Sequence, residues 1–466
     1  MKQFVVVLAA MVFGVSGLHG QEMPADTKAA VDAAIEQVVA KTGVPSASVG
    51  IVQGGRIVYT KAFGDARLKP EVKATAAMSY PVGSISKQFT ATCVLLLQED
   101  GKLSLDDTVS KWFPKLTRAN EVTLRELLSH TSGYEDYAPQ DYTILLWTKV
   151  GDPLKLVEEW AGKPLDFEPG TQWQYSNTNF VLAALIVQKA SGMPFFEFLQ
   201  KRVLDPMGLK DALDLDTARD RVVVQGYERH ALAALRPAIL EAPGWYFGDG
   251  SLAMPVADLL KWDIAIMDQK LLKPESYRAF ETEVKLKDGK STRYGLGISV
   301  FTQGGRRVLE HSGEVGGFVA ENLMLPDEKL AIAVLTNQEA SSAASEIASA
   351  VVKHLLPKTA VAAVVSAPEE IQLKSIMSGL QEGKIDRGLF TADANFYFSA
   401  ETMEDFASSL KPLGAVSTVE KERESLRGGM TFRSFHVGFA GKESVTVSTY
   451  TMKDGKLEQL LVEGKN

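Results

Sequence analysis

The sequence predicts an α/β fold of the α+β kind: an antiparallel sheet flanked by terminal helices, with a helical insert, followed by a small C-terminal α+β domain. Three observations in the 466 residues predict this fold class. Strand-like segments lie near both ends of residues 26–356, whereas residues 103–240 are helical and loop-rich. A last group of strand-like segments follows a bridge of small residues near the end of the chain. We therefore expect a sheet assembled from two distant parts of the chain.

The first group of elements begins with a helix and a hairpin. Residues 26–43 carry apolar side chains at helical spacing and end in a glycine, which is favoured just beyond a helix C-terminus. Residues 46–52 and 57–63 are rich in β-forming residues and flank a Gly-Gly turn, which predicts a β-hairpin. A further apolar run, residues 89–97, predicts a buried helix that begins near Ser84.

The second group follows the helical insert. Short β-rich segments separated by turns predict four strands, at residues 294–301, 307–311, 317–325 and 330–336. Residues 343–356 then predict a closing helix. We expect these strands to join the first hairpin in one sheet, with the terminal helices on one face and the insert on the other.

Residues 1–20 have the pattern of a secretory signal peptide. Lys2 supplies the positive start, residues 4–15 the apolar stretch and residues 16–20 a small-residue cleavage region. The apolar stretch is shorter than the roughly 20 residues that a transmembrane helix needs. The single cysteine lies far beyond this segment, so we expect no lipid anchor. These features predict a secreted or periplasmic protein without a membrane anchor, and a buried N-terminal helix is the alternative.

The remaining chain divides into two predicted domains, residues 21–358 and 369–466, joined by a small-residue linker at 359–368. The tail predicts helices and then three antiparallel strands, at residues 432–439, 444–451 and 456–462. Its order is similar in pattern to the cone-shaped fold of the nuclear-transport-factor and ketosteroid-isomerase type, and the similarity carries no site residue with it. We expect this tail to act in homo-oligomer formation or in docking a partner rather than as a second enzyme.

Composition excludes several classes of function. Hydrophobic residues make up 45% of the chain and charged residues 23%, as in an ordinary globular protein. The formal charge is −8 and the sequence has no lysine or arginine cluster, so nucleic acid and anionic membranes are not expected partners. The six histidines are scattered, and no pair has metal-ligand spacing, so we expect no metal and no cofactor.

The chemistry-bearing segment is Ser84-Ile85-Ser86-Lys87, at the predicted start of the buried helix. Residues three apart on a helix share a face, with about 5–6 Å between their Cβ atoms. A serine hydroxyl beside an amine at a helix N-terminus is a candidate activated nucleophile. A second copy of the pattern, from Ser408 to Lys411, has no such setting, and we expect it to be an exposed helix turn.

Two further segments accompany the first. They are Tyr175-Ser176-Asn177 and His311-Ser312-Gly313. With these three motifs in order, residues 26–356 resemble the serine β-lactamase and penicillin-binding superfamily. The similarity is to the branch that holds class C β-lactamases, D-alanyl-D-alanine carboxypeptidases and β-lactamase-like esterases, and it implies the β-lactamase/transpeptidase-like fold.

The resemblance implies a role for each motif. Ser84 is the expected nucleophile, and Lys87 or Tyr175 is the expected general base, with the choice between them open. The backbone N–H groups of Ser84 and Glu314 are the expected donors to the oxyanion that acyl transfer develops. Asn177 is expected to bind the substrate amide and to hold Lys87.

His311 is the departure from the family pattern that bears most on substrate. A lysine at this place gives lactamase-type pockets a fixed positive charge, whereas a histidine is only partly charged at neutral pH. By resemblance, His311, Ser312 and Gly313 line the substrate pocket. We therefore expect a secreted serine hydrolase that acts through an acyl-serine intermediate on a small amide or ester, foremost a D-amino-acid peptide or ester. The alternatives are a true class C-type β-lactamase and a non-catalytic binding or regulatory relative.

Overall fold

The computed structural model describes residues 23–356, 368–427, 429–441 and 443–465. The predicted signal peptide, residues 1–20, and all of the predicted linker except Pro368 lie outside the described residues.

The described residues form helices and strands along the whole chain. The strands are β1 Ser46–Gln53, β2 Arg56–Leu68, β3 Glu71–Lys73, β4 Tyr80–Pro81, β5 Leu213–Asp214, β6 Tyr227–Glu228, β7 Arg236–Pro237, β8 Leu252–Met254, β9 Ser299–Gln303, β10 Arg306–Val315, β11 Phe318–Leu325, β12 Leu330–Thr336, β13 Val416–Arg427, β14 Met430–Phe439, β15 Ser444–Thr451 and β16 Leu457–Lys465. The α-helices are α1 Ala25–Thr42, α2 Ser86–Glu99, α3 Leu124–Leu128, α4 Pro153–Trp160, α5 Asn177–Ser191, α6 Phe195–Leu199, α7 Asp205–Met207, α8 Leu215–Ala218, α9 Val256–Met267, α10 Pro274–Phe280, α11 Ala343–Leu355, α12 Pro368–Leu380, α13 Ala392–Tyr397 and α14 Ala400–Leu410.

The large sheet has seven strands in the order β3-β2-β1-β12-β11-β10-β9, with every neighbouring pair antiparallel. Its centre joins the two distant parts of the chain, because β1 pairs with β12 from Ala47 opposite Thr336 to Gln53 opposite Leu330. This arrangement confirms the predicted fold class, a sheet closed by segments from both ends of the first domain.

Alternate residues of the central strands face two different layers. In β12, Ile332 and Val334 pack in one buried cluster with Ile35 of α1 and Ile347 of α11. The intervening Ala331, Ala333 and Leu335 belong to the cluster that holds α2, α5 and α9. Because side chains alternate across a strand, a fully apolar strand can serve both layers at once. The terminal helices thus cover one face and the helical insert covers the other.

Helix α2 lies on the face of the sheet that the helical insert also covers. All of its residues from Ser86 to Leu97 are buried, and Phe89 stacks on Trp262 of α9 with ring centres 4.2 Å apart. A helix that is buried on every side is packed against neighbouring elements all round its axis. Its first turn is therefore held rigidly where the functional side chains begin.

The C-terminal domain has a four-stranded antiparallel sheet in the order β13-β14-β15-β16, packed with α12, α13 and α14 around its own buried cluster. Three of its strands match predicted segments, but β13 was not predicted. Most β13 side chains are exposed or half-buried, and its sequence Val-Ser-Thr-Val-Glu-Lys-Glu-Arg-Glu-Ser-Leu-Arg lacks apolar alternation. An edge strand with so little buried surface gives a weak sequence signal.

Among the described residues, no single helix has the length and apolar composition to cross a membrane, and one pair bent by 75°, Asn177–Ser191 with Phe195–Met207, meets those two criteria together.

Candidate active site

Ser84 lies in a short 3-10 turn, Gly83–Ile85, that leads directly into α2. Its side chain is half-buried and opens into a cavity of about 630 Å³. The same cavity is lined by the other predicted site residues except Lys87, which lies beneath it: Tyr175, Asn177, His311, Ser312, Gly313 and Glu314. The three sequence motifs, far apart in the chain, therefore meet at one place.

Glycines bring the backbone of β10 against the Ser84 turn. A Cβ atom on Gly313 would lie 2.0 Å from Val82 O and 3.0 Å from Ser84 N. A Cβ atom on Gly83, whose φ is +51°, would lie 2.7 Å from Glu314 N. Only glycine permits such a close approach. The consequence is that the backbone nitrogens of Ser84 and Glu314, the expected oxyanion donors, lie side by side at the cavity.

Lys87 is completely buried and its Nζ has three oxygen neighbours. It donates to Asn177 Oδ1 at 2.7 Å and to the backbone oxygen of Asp249 at 2.8 Å, and it lies 2.9 Å from Ser84 Oγ. The first two neighbours can only accept hydrogen bonds. They use two N–H groups of Lys87, so the third bonding direction of Nζ points at the Ser84 hydroxyl. This geometry suits proton exchange between the two side chains.

Asn177 holds its amide in a defined orientation. Its Nδ2 donates to Ala138 O at 2.9 Å and to Asp136 Oδ2 at 3.3 Å, while its backbone N–H donates to Asp136 Oδ1 at 2.8 Å. Because both partners of Nδ2 are acceptors, Oδ1 must face Lys87. Asp136 is fully buried, and burial raises the pKa of its carboxyl.

Asp249 was not predicted and lies beside Lys87. Its Oδ2 is 3.9 Å from Lys87 Nζ, and Tyr137 OH donates to it at 3.3 Å. Burial raises the pKa of the Asp249 carboxyl to about 7, although the charge of Lys87 opposes the shift. Asp249 belongs to none of the three motifs, so its sequence context gave no signal.

Tyr175 is half-buried at the cavity wall and is surrounded by ring and cation contacts. The Tyr175 ring centre is 4.2 Å from the His130 ring centre and 5.1 Å from Lys87 Nζ. His130 Nδ1 accepts a hydrogen bond from Ser176 N–H, and burial holds the pKa of His130 well below its usual range. His130 is therefore a neutral packing residue that fixes the position of Tyr175.

His311 is also neutral, and both of its ring nitrogens have partners. Nδ1 lies 2.6 Å from Ser312 O, which can only accept, so Nδ1 carries the proton. Nε2 then accepts from Tyr294 OH at 2.8 Å. Burial and the nearby charge of Lys87 lower the pKa of His311 to about 3. The side chain thus lines the cavity without the fixed positive charge that a lysine would supply.

The C-terminal domain forms part of the cavity wall, which sequence reasoning did not predict. Arg427, Phe432 and Tyr450 line the cavity together with the motif residues. The guanidinium carbon of Arg427 lies 5.1 Å from the ring centre of Tyr175. Arg427 belongs to no motif and ends a strand rich in charged residues, so its sequence context gave no signal. The second Ser-x-x-Lys segment stays apart from the cavity, with Ser408 exposed in α14.

The cavity is lined by more acidic than basic side chains. Its lining includes three arginines, Arg293, Arg423 and Arg427, and seven carboxyl side chains, Asp141, Glu241, Asp249, Glu310, Glu314, Glu339 and Glu463. Burial, followed by the Asp141 charge, raises the pKa of Glu314 well above its usual range. Among the described residues, no group of three or more His, Cys, Asp or Glu side chains has a metal-binding arrangement.

A family model described as Beta-lactamase matches residues 31–356, well over half of the chain. The chain belongs to the beta-lactamase family. The match confirms the predicted superfamily and the predicted class of serine hydrolase. It covers the domain that carries all three motifs.

Individual proteins similar to this beta-lactamase-family chain refine the comparison. A penicillin-binding protein of Bacillus subtilis is 28% identical over 65% of this chain and 70% of its own length. A D-aminopeptidase of Cereibacter sphaeroides is 30% identical over 71% of this chain. This chain spans just under two thirds, 64%, of that relative's length.

Solved structures agree with the fold. A D-stereospecific amidohydrolase from Streptomyces sp. has a TM-score of 0.58 and 27% identity, and the likeness covers 69% of this chain and 97% of that one. The octameric penicillin-binding protein homologue from Pyrococcus abyssi has a TM-score of 0.61 and 23% identity, with 94% of this chain and 99% of that chain covered. The second likeness extends over nearly the whole chain and therefore includes the C-terminal domain.

Proposed function

We propose that this beta-lactamase-family chain hydrolyses the amide bond of a D-amino-acid amide or short D-amino-acid peptide through an acyl-enzyme on Ser84. The observation that carries the proposal is the placement of Lys87 Nζ, 2.9 Å from Ser84 Oγ, with its other two contacts filled by acceptors. The similarity to a D-aminopeptidase and to a D-stereospecific amidohydrolase supports the choice of substrate class.

Acylation follows from the geometry. In the form of the protein in which Lys87 has lost its proton, Ser84 Oγ attacks the amide carbonyl carbon and its own proton passes to Lys87, whose two N–H groups stay bound to Asn177 and Asp249. The carbonyl oxygen becomes an oxyanion between the backbone N–H groups of Ser84 and Glu314. The C–N bond then breaks, and the leaving amine takes a proton from Tyr175 OH, which regains one from Lys87.

Deacylation reverses these proton transfers. A water molecule attacks the acyl carbonyl, and its proton passes to the Lys87–Tyr175 pair. The ester bond breaks, Ser84 Oγ regains a proton, and the free D-amino acid leaves. No other reactant is needed, since the overall reaction consumes one water molecule.

The charges of the cavity favour a substrate with a free ammonium group over one with a carboxylate. His311 is neutral, so the positive charge that binds a penicillin carboxylate in lactamase-type pockets is missing from this place. Carboxyl side chains outnumber arginines in the lining, and Arg427 and Asp141 neutralise each other at 3.0 Å. Burial raises the pKa of several of the other carboxyls, so a nearby positive charge would be needed to ionise them fully at neutral pH. An ammonium group bound nearby would also favour the ionised form of buried carboxyls such as Glu463, whose pKa burial raises to about 7.

The test compares matched substrates. We expect turnover of a D-alanine p-nitroanilide, at least about tenfold slower turnover of its N-acetyl derivative, and little turnover of the L-isomer. Intact mass spectrometry should show the acyl group on the full chain and not on the Ser84→Ala variant. Preference for the N-acetylated or the L-substrate would contradict the proposed substrate class.

Penicillin separates this proposal from the lactamase alternative. A strained β-lactam should acylate Ser84, but we expect slow or no regeneration of free enzyme, because His311 lacks the fixed positive charge that a lysine supplies at this place in lactamase-type pockets. Fast, repeated hydrolysis of penicillin would instead identify a β-lactamase. A chain that forms no acyl-enzyme with either substrate would be a binding or regulatory relative.

We also propose that the protein is exported and that its C-terminal domain takes part in oligomer formation. The signal-like pattern of residues 1–20 supports export. A likeness in fold to a homologue described as octameric supports oligomerisation. The mass of the chain recovered outside the cytoplasm would reveal cleavage after residue 20, and light scattering would give the number of copies. An uncleaved cytoplasmic chain or a strict monomer would contradict the respective proposal.

A further inference from the structure

The contact between the C-terminal domain and the catalytic residues is concentrated at Arg427, the last residue of β13. Its backbone forms an isolated parallel bridge with that of Tyr175. Its side chain is 21% exposed, and the guanidinium carbon lies 5.1 Å from the Tyr175 ring centre, within the range of a cation–π contact. One residue of the C-terminal domain therefore contacts both the backbone and the side chain of the expected proton carrier.

Arg427 also binds the loop that supports Asn177. Its Nε donates to Asp136 Oδ2 at 3.4 Å, and its Nη2 donates to Ala138 O at 3.3 Å. These two oxygens also accept hydrogen bonds from Asn177 Nδ2, at 3.3 and 2.9 Å. Arg427 and Asn177 thus share the same pair of acceptors. Since Asn177 Oδ1 accepts from Lys87 Nζ at 2.7 Å, the chain of contacts reaches the Ser84 pair.

The arginine is itself held in place by one side chain from each domain. Its Nη1 donates to Tyr450 OH at 2.8 Å and to Asp141 Oδ1 at 3.0 Å. Asp141 is in turn bound by Gln459, whose Oε1 accepts from Asp141 N–H at 2.7 Å. The guanidinium therefore cannot move freely between the two domains, and its plane is defined by contacts on both sides.

Electrostatics explain why this position needs an arginine. Asp136 is completely buried, and a buried carboxylate is costly unless a positive charge and hydrogen bonds compensate it. Lys87 is the other cation near it, but Lys87 reaches Asp136 only through Asn177. Asp249 adds a second acidic group to the same region. Without Arg427, Asp136 would lose its direct ion partner, and Asn177 would lose a defined acceptor.

We propose that Arg427 is a positioning residue for the reaction and that the C-terminal domain completes the catalytic site through it. Arg427 fixes Asp136 and Ala138, these fix Asn177, and Asn177 orients Lys87 toward Ser84, while the guanidinium holds the ring of Tyr175. This inference rests on the proposed acyl-serine function. It assigns the C-terminal domain a part in catalysis in addition to any part in assembly.

The first test uses the full chain with Arg427→Met, which removes the charge and the hydrogen bonds but keeps much of the length. We expect kcat/KM for the D-amino-acid amide to fall by about 10²-fold, within the usual range for proton-transfer effects, mostly through kcat. The matched control is Arg433→Met, which removes an arginine of the adjacent strand whose partners, Glu424 and Glu369, both lie in the C-terminal domain. Equal activity in the two variants would overturn the proposal.

Rescue separates positioning from folding. Arg427→Lys should recover part of the activity, and millimolar methylguanidinium should restore Arg427→Ala several-fold while leaving Arg433→Met unchanged. Melting temperatures should be similar for the Arg427 and Arg433 variants. A loss of activity in Arg427→Ala that neither lysine nor methylguanidinium recovers, with a lowered melting temperature, would show a purely structural role and overturn the proposal.

A double-mutant cycle tests the route. Asp136→Asn and Arg427→Met should each slow the reaction, and the double variant should lose at least about tenfold less than the product of the two single losses, because coupled residues are not additive. If the loss of the double variant equalled the product of the two single losses, Arg427 would not act through Asp136.

Labelling of Ser84 by a fluorophosphonate provides the same comparison without turnover. A full chain that labels rapidly, but turns over no D-amide, would reject the proposed substrate and leave the Arg427 comparison measurable.

Discussion

The two walls of the cavity are assembled by different kinds of contact. On the wall formed by the main domain, glycine lets the backbones of β10 and of the Ser84 turn touch, with a Cβ on Gly313 only 2.0 Å from Val82 O. The C-terminal domain meets the main domain mainly through side chains. Gln140 Nε2 donates to Glu458 Oε1 at 2.6 Å, and Lys453 pairs with Asp166 at 3.0 Å. The rings of Tyr142 and Tyr397 also pack across this contact, with centres 5.2 Å apart.

The two kinds of contact should differ in how they respond to salt. Backbone packing in a dense interior is insensitive to salt and fixes the atoms that would react. Ion pairs between half-exposed side chains are weak and are screened by salt. We therefore expect the nucleophile and the oxyanion donors to keep their geometry under most conditions, whereas the ion pairs between the C-terminal domain and the main domain should weaken as salt concentration rises.

The largest effect on activity should come from removing the Ser84 hydroxyl. Ser84→Ala should lower acylation by at least about 10⁴-fold, because the reaction loses its nucleophile. Ser408→Ala is the matched control, since this serine belongs to the second Ser-x-x-Lys segment and is exposed in α14. Intact mass after incubation with substrate would measure acylation of both variants. Undiminished acylation of the Ser84→Ala protein would refute the assignment of the site.

The next effect concerns the two proton carriers, Lys87 and Tyr175. The first is enclosed by the main domain alone, and the second also contacts the C-terminal domain. Lys87 is buried within the main domain, whereas Tyr175 lies under Arg427. Lys87→Ala and Tyr175→Phe should each slow the reaction by about 10²–10⁴-fold.

The double variant tests whether the two groups share one proton path. It should be little slower than the worse single variant, because groups that act as a unit are not additive. Rapid-mixing kinetics would separate acylation from deacylation. Losses that multiply would indicate two independent proton paths.

A smaller and more selective effect is expected at His311. His311→Lys should raise kcat/KM for carboxylate-bearing substrates by about tenfold relative to uncharged ones, as charge complementarity at a binding site does. The wild-type protein should show no ionisation of His311 between pH 5 and 8, since burial and Lys87 lower its pKa to about 3. NMR titration of the histidine ring would check this directly. A His311 signal that titrates near pH 6.5 would contradict the neutral assignment.

Most of the main-domain architecture could be predicted because its elements carry strong local patterns. The hairpin at residues 46–63, strands such as Leu330–Thr336 and the closing helix Ala343–Leu355 all have apolar patterns that match their burial. The predicted strand at residues 294–301 was placed too early. Residues 294–298 form a turn closed by Gly295 N–H and Ile298 O, and the strand begins at Ser299.

The motif residues could be named because their spacing is local, but their supporting residues could not. Asp136 and Asp249 are isolated aspartates in the sequence, and only the tertiary fold shows that they flank Asn177 and Lys87. Arg427 lies 250 or more residues from every residue that it contacts in the main domain. The role of Arg427 depends on the interface between the two domains, and the local pattern of a single sequence does not predict such an interface.

The last effect concerns stability rather than activity, and it arises from a hydrogen-bond chain in the main-domain interior between α2, α9 and β11. Trp262 Nε1 donates to Gln88 Oε1, Gln88 Nε2 donates to Asn322 Oδ1, and Asn322 Nδ2 donates to Asp263 Oδ1 at 2.8 Å. Asp263 Oδ2 is buried and has no hydrogen-bond partner among the described residues. Burial raises the pKa of Asp263 to about 8. The folded protein therefore carries this carboxyl protonated at neutral pH, whereas the unfolded chain carries it ionised.

The sign of the pH dependence follows from these two states. Between about pH 4 and 8 the folded state binds one proton more than the unfolded state at Asp263, so the free energy of unfolding falls as pH rises, by at most about 1.4 kcal/mol per pH unit. Asp263→Asn removes the ionisation and keeps the Oδ1 acceptor for Asn322. The variant should match the parent near pH 4 and be more stable near pH 8, as measured by urea unfolding at both values. Asp268→Asn should act in the opposite direction near neutral pH, because the hydrogen bond from Lys329 lowers the pKa of Asp268. A stability difference between Asp263→Asn and the parent that is the same at pH 4 and pH 8 would show that Asp263 is ionised in the folded protein.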